Sequence, residues 1–263
     1  MIKVPAAFSE WPVVVISLND AHHRRAALEK SLSEIEVCYE VFPAVDGRWG
    51  LEEKYENLID RAAAQSRLGR EMTDPEFGCA LSHLSVYEIL LAEGWPGAIV
   101  LEDDAIVGSL FKEFVSSKAY LSYGFVQLDY NWARVWRFGY GTSRVTQRIV
   151  LRRLIYNAGC AVGYAISSAA ASFILNCSRP VSMIADWPCD LAPIRPYVTD
   201  PQVVRHRPKD DKDSYLAGGR KESIAKAKML KLTKGGSCRN PKPRHYNCFG
   251  RFFSYFLPNQ GSS

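Results

Sequence analysis

Glu102, Asp103 and Asp104 follow directly on the apolar run at 98–101, Ala-Ile-Val-Leu. Three adjacent carboxylates at the end of a buried strand repel one another unless protons or a cation neutralise them. Mg²⁺ or Mn²⁺ suits that purpose, because such ions take oxygen ligands and need only one or two carboxylates, leaving the rest of the shell to water and substrate phosphate. In an extended chain Glu102 and Asp104 point to one side and Asp103 to the other. The first and third are therefore the expected metal ligands, Asp104 the direct one. A solvated acidic turn would carry the same letters, and phosphatases, nucleases and nucleotidyltransferases also place acids at strand ends, so the triplet alone selects no reaction.

Other residues could share the work. Arg24 or Arg25 could give charge-assisted hydrogen bonds to a diphosphate, or simply begin a solvated helix. Tyr130, Trp132, Trp136 and Tyr140, with Arg134 and Arg137 between them, read as a platform for a sugar ring, a lid, or in part core.

These residues need a scaffold. The run at 13–18 reads as a first strand, Asn19-Asp20 offers a cap for a helix over 21–35, and 37–42 reads as a second strand leading to the turn signal Asp46-Gly47. This β-α-β opening predicts a parallel pair with a crossover. Residues 51–70 look helical but weakly patterned. Thr73-Asp74-Pro75-Glu76 joins a capping box to a proline in the first turn and predicts a helix over 74–93. Its Phe77, Ala80, Leu84, Tyr87 and Leu91 share the expected core face, with Ser82 away from it and His83 at its edge. Then come the strand that carries the triplet, a helix over 109–119, strands over 125–128, 149–155 and 160–166, and a helix to 177 capped by Ser167 or Ser168. Such alternation describes an open α/β sheet, which binds ligands along its carboxyl edge, where the triplet lies.

The chain has 263 residues, 47% of them hydrophobic, enough for one large α/β domain. It contains no apolar run long enough for a membrane span, and Glu10 and Pro12 interrupt the apolar start, so no signal peptide is expected either. Seven cysteines without a CxxC pair point to reduced thiols and a cytoplasmic location. The net charge of +5 is uneven, since residues 205–251 hold 14 Lys and Arg against 4 Asp and Glu. Phe249, Phe252, Phe253, Tyr255, Phe256 and Leu257 crowd the end of this basic stretch. Basic residues beside aromatic ones suit an anionic membrane surface better than nucleic acid, and a solvated helix with its end packed on the domain is the alternative. The expected division is a domain at 1–206 and a basic, aromatic-ended C-terminal extension at 207–263.

Five segments occur in order: VVVISLNDAHHRR, YEVFPAVDGR, MTDPEFGCALSHLSVYEILL, AIVLEDDA and AGCAVGYAISSAAASFIL, with ADW shortly after. Across residues 13–206 the chain closely resembles glycosyltransferase family 25, which contains bacterial lipooligosaccharide galactosyl- and glucosyltransferases and, more distantly, collagen galactosyltransferases. The resemblance implies a GT-A-like (Rossmann-like) fold, an open, mixed and mostly parallel sheet flanked by helices. It also implies a UDP-sugar donor, Mn²⁺ or Mg²⁺, and inversion at the anomeric carbon. Glu102, Asp103 and Asp104 would be the acidic metal motif, Glu102 and Asp104 as ligands, with His206 as a further ligand late in the fold. Arg25, Asp46, Ser82, His83 and Asp103 would line the donor pocket. Asp46 before Gly47 is also turn chemistry, and His83 is also suited to a structural role.

Inversion in one displacement needs one general base opposite the leaving group. Asp186 is the choice, because burial beside Trp187 would raise its pKa and the ring suits a sugar face; capping the turn before Pro188 is its structural alternative. Asp190 and Asp129 are reserves. Tyr130, Trp132, Trp187 and Asp190 are expected on the acceptor side. The resulting expectation is an inverting hexosyltransferase that moves galactose or glucose from a UDP-sugar to a lipid-linked lipooligosaccharide or lipopolysaccharide core acceptor. It would work in the cytoplasm, peripheral on the inner membrane of a Gram-negative bacterium, with nucleic acid not a partner. The rivals are a metal-dependent phosphohydrolase or nucleotidyltransferase, and a non-enzymatic membrane or nucleic-acid adaptor acting through the extension.

Overall fold

Val13, Val14, Val15 and Ile16 are all buried, so strand β1 (Val13–Ser17) must be covered on both faces. A computed structural model describes residues 10–137, 139–207, 217–233 and 254–258. β1 pairs in parallel with β2 (Glu40–Pro43) on one side and β3 (Gly97–Glu102) on the other. Helix α1 (His22–Glu34) joins β1 to β2, while α2 (Arg61–Leu68) and α3 (Asp74–Ala92) precede β3. Beyond the acidic turn come β4 (Ala105–Val107), α4 (Ser109–Ser117), β5 (Phe125–Gln127), β6 (Trp132–Trp136), β7 (Thr142–Arg144), β8 (Val150–Arg153), β9 (Gly163–Ser167) and α5 (Ser168–Ser178). The last elements are β10 (Tyr197–Asp200), β11 (Val204–His206), α6 (Ala217–Thr233) and β12 (Ser254–Pro258).

The central sheet has the order β2-β1-β3-β9-β5-β10-β8-β7, and only β8 and β9 run against the other strands. This is the expected mixed, mostly parallel sheet. Strand parity divides its side chains between two cores. Val14, Ile16, Ala98, Val100, Tyr164 and Ile166 pack with α3 and α5. Val13, Val15, Ile99, Leu101 and Ala165 pack with Leu28 and Leu32 of α1 and Phe111 and Phe114 of α4.

Thr73 and Glu76 form the expected capping box on α3, with Pro75 in its first turn. The helix does not keep to one apolar face, however. Ser82 and His83 are as buried as Phe77, Ala80, Leu84 and Tyr87, whereas Leu91, expected in the core, is exposed. The reason is that α5 and residues 181–191 cover α3 on the side a surface helix would turn to water. Two glycines permit the close approach of the loop after β2: a Cβ on Gly47 would lie 2.2 Å from the Asp74 carbonyl oxygen, and one on Gly78 2.7 Å from that of Val45. At α1 the expected Asn19-Asp20 cap is replaced by Ala21, with no side-chain cap, because Asp20 instead receives the Arg48 guanidinium.

Two described pieces of the extension rest on the domain. β12 pairs antiparallel with β6 and buries Leu257. Arg220 of α6 donates to Glu76 at 2.7 Å, and Ser223 donates to the Glu71 carbonyl. Phe249, Phe252 and Phe253 lie outside the described residues. No described helix is long and apolar enough to cross a membrane. The five described cysteines, Cys38, Cys79, Cys160, Cys177 and Cys189, are unbridged.

Candidate active site

Because β3 ends at Glu102 and the chain turns before β4, the three carboxylates diverge into three environments. Glu102 continues the Ala98 and Val100 side and meets α3, where its Oε1 lies 3.1 Å from His83 Nε2. His83 Nδ1 is 2.7 Å from the Tyr164 hydroxyl, which in turn accepts from Tyr87 at 2.8 Å. One assignment satisfies every pair: Tyr87 donates to Tyr164, Tyr164 to Nδ1, and Nε2–H to Glu102.

Asp103 turns to the α1 side. Its Oδ2 accepts from Ser17 at 3.0 Å, and its Oδ1 accepts from Arg24 Nε and Nη2 at 3.0 and 2.8 Å. Asp104 is left with one long contact, Arg24 Nη2 at 3.4 Å from Oδ2, while its buried Oδ1 has no hydrogen-bond partner among the described residues. Burial, then Glu102, push its carboxyl up to about 6, with Arg24 opposing and Asp103 adding to the rise. An orphaned oxygen and a disfavoured negative charge fit a hard divalent cation, which supplies both the missing partner and the missing charge.

His206 reaches the same region from the end of the domain. β11 pairs antiparallel with β4 so that His206 stands opposite Ala105, and the Arg207 N–H donates to the Asp104 carbonyl at 3.3 Å. His206 Nδ1 is 2.8 Å from Asp129 Oδ2. The same oxygen accepts from the Cys160 thiol at 2.9 Å, and Asp129 Oδ1 accepts from Gln202 at 2.7 Å. Among the described residues two groups of three have ligand atoms within 4.8 Å of one another, Cys79–His83–Glu102 and Asp129–Cys160–His206. Glu102 and His206 thus belong to different groups and Asp104 to neither, so the expected trio of ligands is not gathered at one point.

Asp186 is exposed, and its Oδ1 accepts from the Ala161 N–H at 3.1 Å. Burial by the surrounding protein raises its carboxyl pKa, as does Glu102, against the pull of Arg220, the Ala161 N–H and His83. A carboxylate open to water and raised in pKa by the protein around it has the basicity and access that a general base needs.

The remaining expected site residues fall elsewhere. Trp187 is a core residue: its ring meets Phe125 and Tyr164 edge-on and its Nε1 donates to the Ala158 carbonyl, so it presents no open face to a sugar. Tyr130 is likewise fully buried, its hydroxyl donating to Thr199 O. Trp132 is half exposed against Phe256 of β12, and Asp190 accepts from the Ala192 N–H. Ser82 bridges α3 to the loop after β2, accepting from Val45 N–H and donating to Gly78 O. Asp46 is held by Arg48. Arg25 is buried against Leu18 O and Glu29, so it is Arg24 that lies on the acidic turn. Tyr164, Tyr87, Cys160 and Gln202 had no sequence signal as site residues, because only the fold brings them to His83 and Asp129.

A mixed α/β sheet flanked by helices, with an acidic turn closing its central strand and Arg24 laid on that turn, is a fold of the GT-A-like class. The family profile "Glycosyltransferase family 25 (LPS biosynthesis protein)" matches residues 11–189, and the chain belongs to that family. A rat protein named "Probable inactive glycosyltransferase 25 family member 3" is 37% identical over 105 residues, 39% of this chain and 18% of that protein. The Haemophilus influenzae "Lipooligosaccharide biosynthesis protein lic2B" is 28% identical over 115 residues, 44% of this chain and 41% of the relative. A "Putative glycosyltransferase" of Haemophilus influenzae strain Rd is 25% identical over 176 residues, 65% of this chain and 60% of its own length. The matched part of the chain thus spans less than two thirds of each relative.

Proposed function

We propose that this protein transfers galactose or glucose, with inversion, from a UDP-sugar to a lipid-linked lipooligosaccharide or lipopolysaccharide core acceptor, using Mn²⁺ or Mg²⁺. The observation that carries the reading is Asp104 Oδ1, buried and without a partner beside an Asp103 already saturated by Ser17 and Arg24. Asp104 would hold the metal, with Glu102, whose charge raises the Asp104 carboxyl, as the next acid of the turn. The bound ion supplies Lewis-acid charge to the departing diphosphate. Arg24, already on the acidic turn, is placed to add charge-assisted hydrogen bonds to the same leaving group. Asp186, its carboxyl raised by burial and by Glu102, takes the proton from the attacking acceptor hydroxyl. The name of the lic2B relative supports the acceptor class. Such an acceptor places the work at the inner face of a Gram-negative inner membrane.

The test is release of UDP from UDP-galactose and UDP-glucose, with and without a core oligosaccharide acceptor, in Mn²⁺ and in EDTA. Release that requires both acceptor and metal, and falls by about 10²–10⁴ in Asp186→Asn, is expected. Release indifferent to acceptor, or undiminished in EDTA, would replace this reading with hydrolysis or a metal-free reaction. Some relatives bear the word inactive in their names, so a complete lack of turnover is a distinct outcome that would refute it.

A further inference from the structure

We propose that Cys79, His83 and Glu102 form a site for Zn²⁺, separate from the hard-cation position at Asp104 and independent of the reading given to it. Cys79 and His83 are four residues apart on α3, so their side chains rise from the same face of the helix. Glu102, at the end of β3, meets that face from the sheet. One ligand atom from each residue, a thiol sulfur, an imidazole nitrogen and a carboxylate oxygen, lies within 4.8 Å of the other two. His83 Nε2 and Glu102 Oε1 are 3.1 Å apart, close to the spacing of about 3.3 Å that two light-atom ligands have on a tetrahedral Zn²⁺ ion. The mixture of donors selects the ion. Mn²⁺ and Mg²⁺ favour oxygen, whereas Zn²⁺ accepts sulfur, nitrogen and oxygen together. Three protein ligands leave its fourth position to water.

The surroundings suit a cation as well. The Cys79 thiol makes no disulfide and no hydrogen bond among the described residues, so taking an ion breaks no contact of its own. It lies in the field of Glu102, Asp186 and Asp104, with Arg220 opposing them. His83 is buried, and its ring is held from behind: Nδ1 is 2.7 Å from the Tyr164 hydroxyl, which accepts from Tyr87 at 2.8 Å. An imidazole that gives one nitrogen to a metal keeps its proton on the other and donates it to an outer partner. A hydroxyl accepts as well as donates, so Tyr164 can be that partner when Nε2 takes the ion. The hydrogen bond between His83 and Glu102 accounts for two of the three residues but gives the thiol beside them no task.

Co²⁺ reports such a site, because a thiolate ligand gives it a charge-transfer band in the near ultraviolet that nitrogen and oxygen ligands do not. The whole chain should bind Co²⁺ with that band, and Zn²⁺ should displace it. Cys79→Ser should abolish the band and weaken Zn²⁺, measured by competition with a chromophoric chelator, by about 100-fold. Cys160→Ser and Asp104→Asn should both keep the band, since neither removes a ligand. A band that survives Cys79→Ser, or that is lost in Cys160→Ser instead, would overturn the inference, as would a wild-type protein that binds no Zn²⁺. Zinc-edge anomalous diffraction from wild-type crystals soaked in Zn²⁺ needs no substitution, so it decides even if Cys79→Ser fails to fold. A peak within about 2.0–2.3 Å of the three ligand atoms is expected. A peak only at Asp104, or only at the Asp129–Cys160–His206 group, would overturn the inference and leave the reading of Asp104 to its own tests.

Discussion

Arg24 binds Asp103 with two nitrogens on one oxygen, Nε at 3.0 Å and Nη2 at 2.8 Å from Oδ1, and reaches the adjacent Asp104 only at 3.4 Å. Two neighbouring aspartates thereby meet opposite surroundings: the first is neutralised by the protein, while the second keeps a buried oxygen without a hydrogen-bond partner among the described residues. Their substitutions should therefore act on stability with opposite signs.

Asp104→Asn is expected to stabilise the metal-free fold while destroying function. A carboxyl raised to about 6 disfavours the folded state wherever it is ionised there. That cost is absent below its ordinary unfolded value, near pH 4, grows as pH rises, and is complete above about 6. Its partial contact with water reduces the penalty to about 1–2 kcal/mol. In EDTA at pH 7.5 the variant should melt about 2–5 °C higher than wild type, and the two should coincide below pH 4. Thermal melts across that range check it.

Asp103→Ala is expected to do the reverse. It takes from a mostly buried guanidinium its bonds at 2.8 and 3.0 Å to a carboxylate and from the Ser17 hydroxyl its shorter acceptor, at a cost of about 2–4 kcal/mol. Urea unfolding at neutral pH in EDTA would measure the loss, and an unchanged midpoint would show that Arg24 finds another anion.

The loop after β2 should be sensitive at two small residues. Gly47→Ala drives a Cβ into the Asp74 carbonyl, and Ser82→Ala frees the Val45 N–H that the hydroxyl accepts from. Both should displace Asp46 and raise the KM for sugar nucleotide, Gly47→Ala by the greater factor, with acceptor KM little changed. Steady-state kinetics with each substrate varied in turn would check this.

Glu76 ties α6 to the domain, and its titration should be visible. Burial alone would raise its carboxyl, but Arg70, the Thr73 N–H and Arg220 together hold it down at about 2. A lowered acid contributes stability that is fully present above its unfolded value, near 4.5, and is lost as pH falls toward 2. Glu76→Gln should cost on the order of 3 kcal/mol at pH 7, the gap to wild type closing as pH falls through that window. Truncation after residue 207 should also lower the melting temperature, since it removes the Arg220 contact and the Leu257 that β12 buries. A truncated chain that melts like the full one would show that the extension is a separate appendage.

What was legible in the sequence was local. The capping box of α3, the apolar run of β3 and the acids that end it declare themselves within a few residues, and the family motifs gave their order. Environment was less legible, because it depends on what covers an element. Ser82 and His83 lie off the apolar stripe of α3 and are nonetheless buried, since α5 and residues 181–191 close over them. Trp187 looked like a platform beside Asp186, but its φ of 62° swings the ring inward onto Tyr164. Pairing across long separations was not legible at all. The β6–β12 ribbon joins residues about 120 apart, and no spacing rule brings Gln202, Asp129, Cys160 and His206 to one carboxylate.

The central claim is that Asp104 holds a divalent cation and, through it, the diphosphate of a sugar nucleotide. Anomalous diffraction from crystals grown with Mn²⁺ and UDP tests it most directly. The account predicts one strong manganese peak within about 2.0–2.3 Å of Asp104 Oδ1, with diphosphate oxygens completing its shell. A peak confined to the Asp129–Cys160–His206 group, or UDP bound at full occupancy with no manganese beside Asp104, would contradict it.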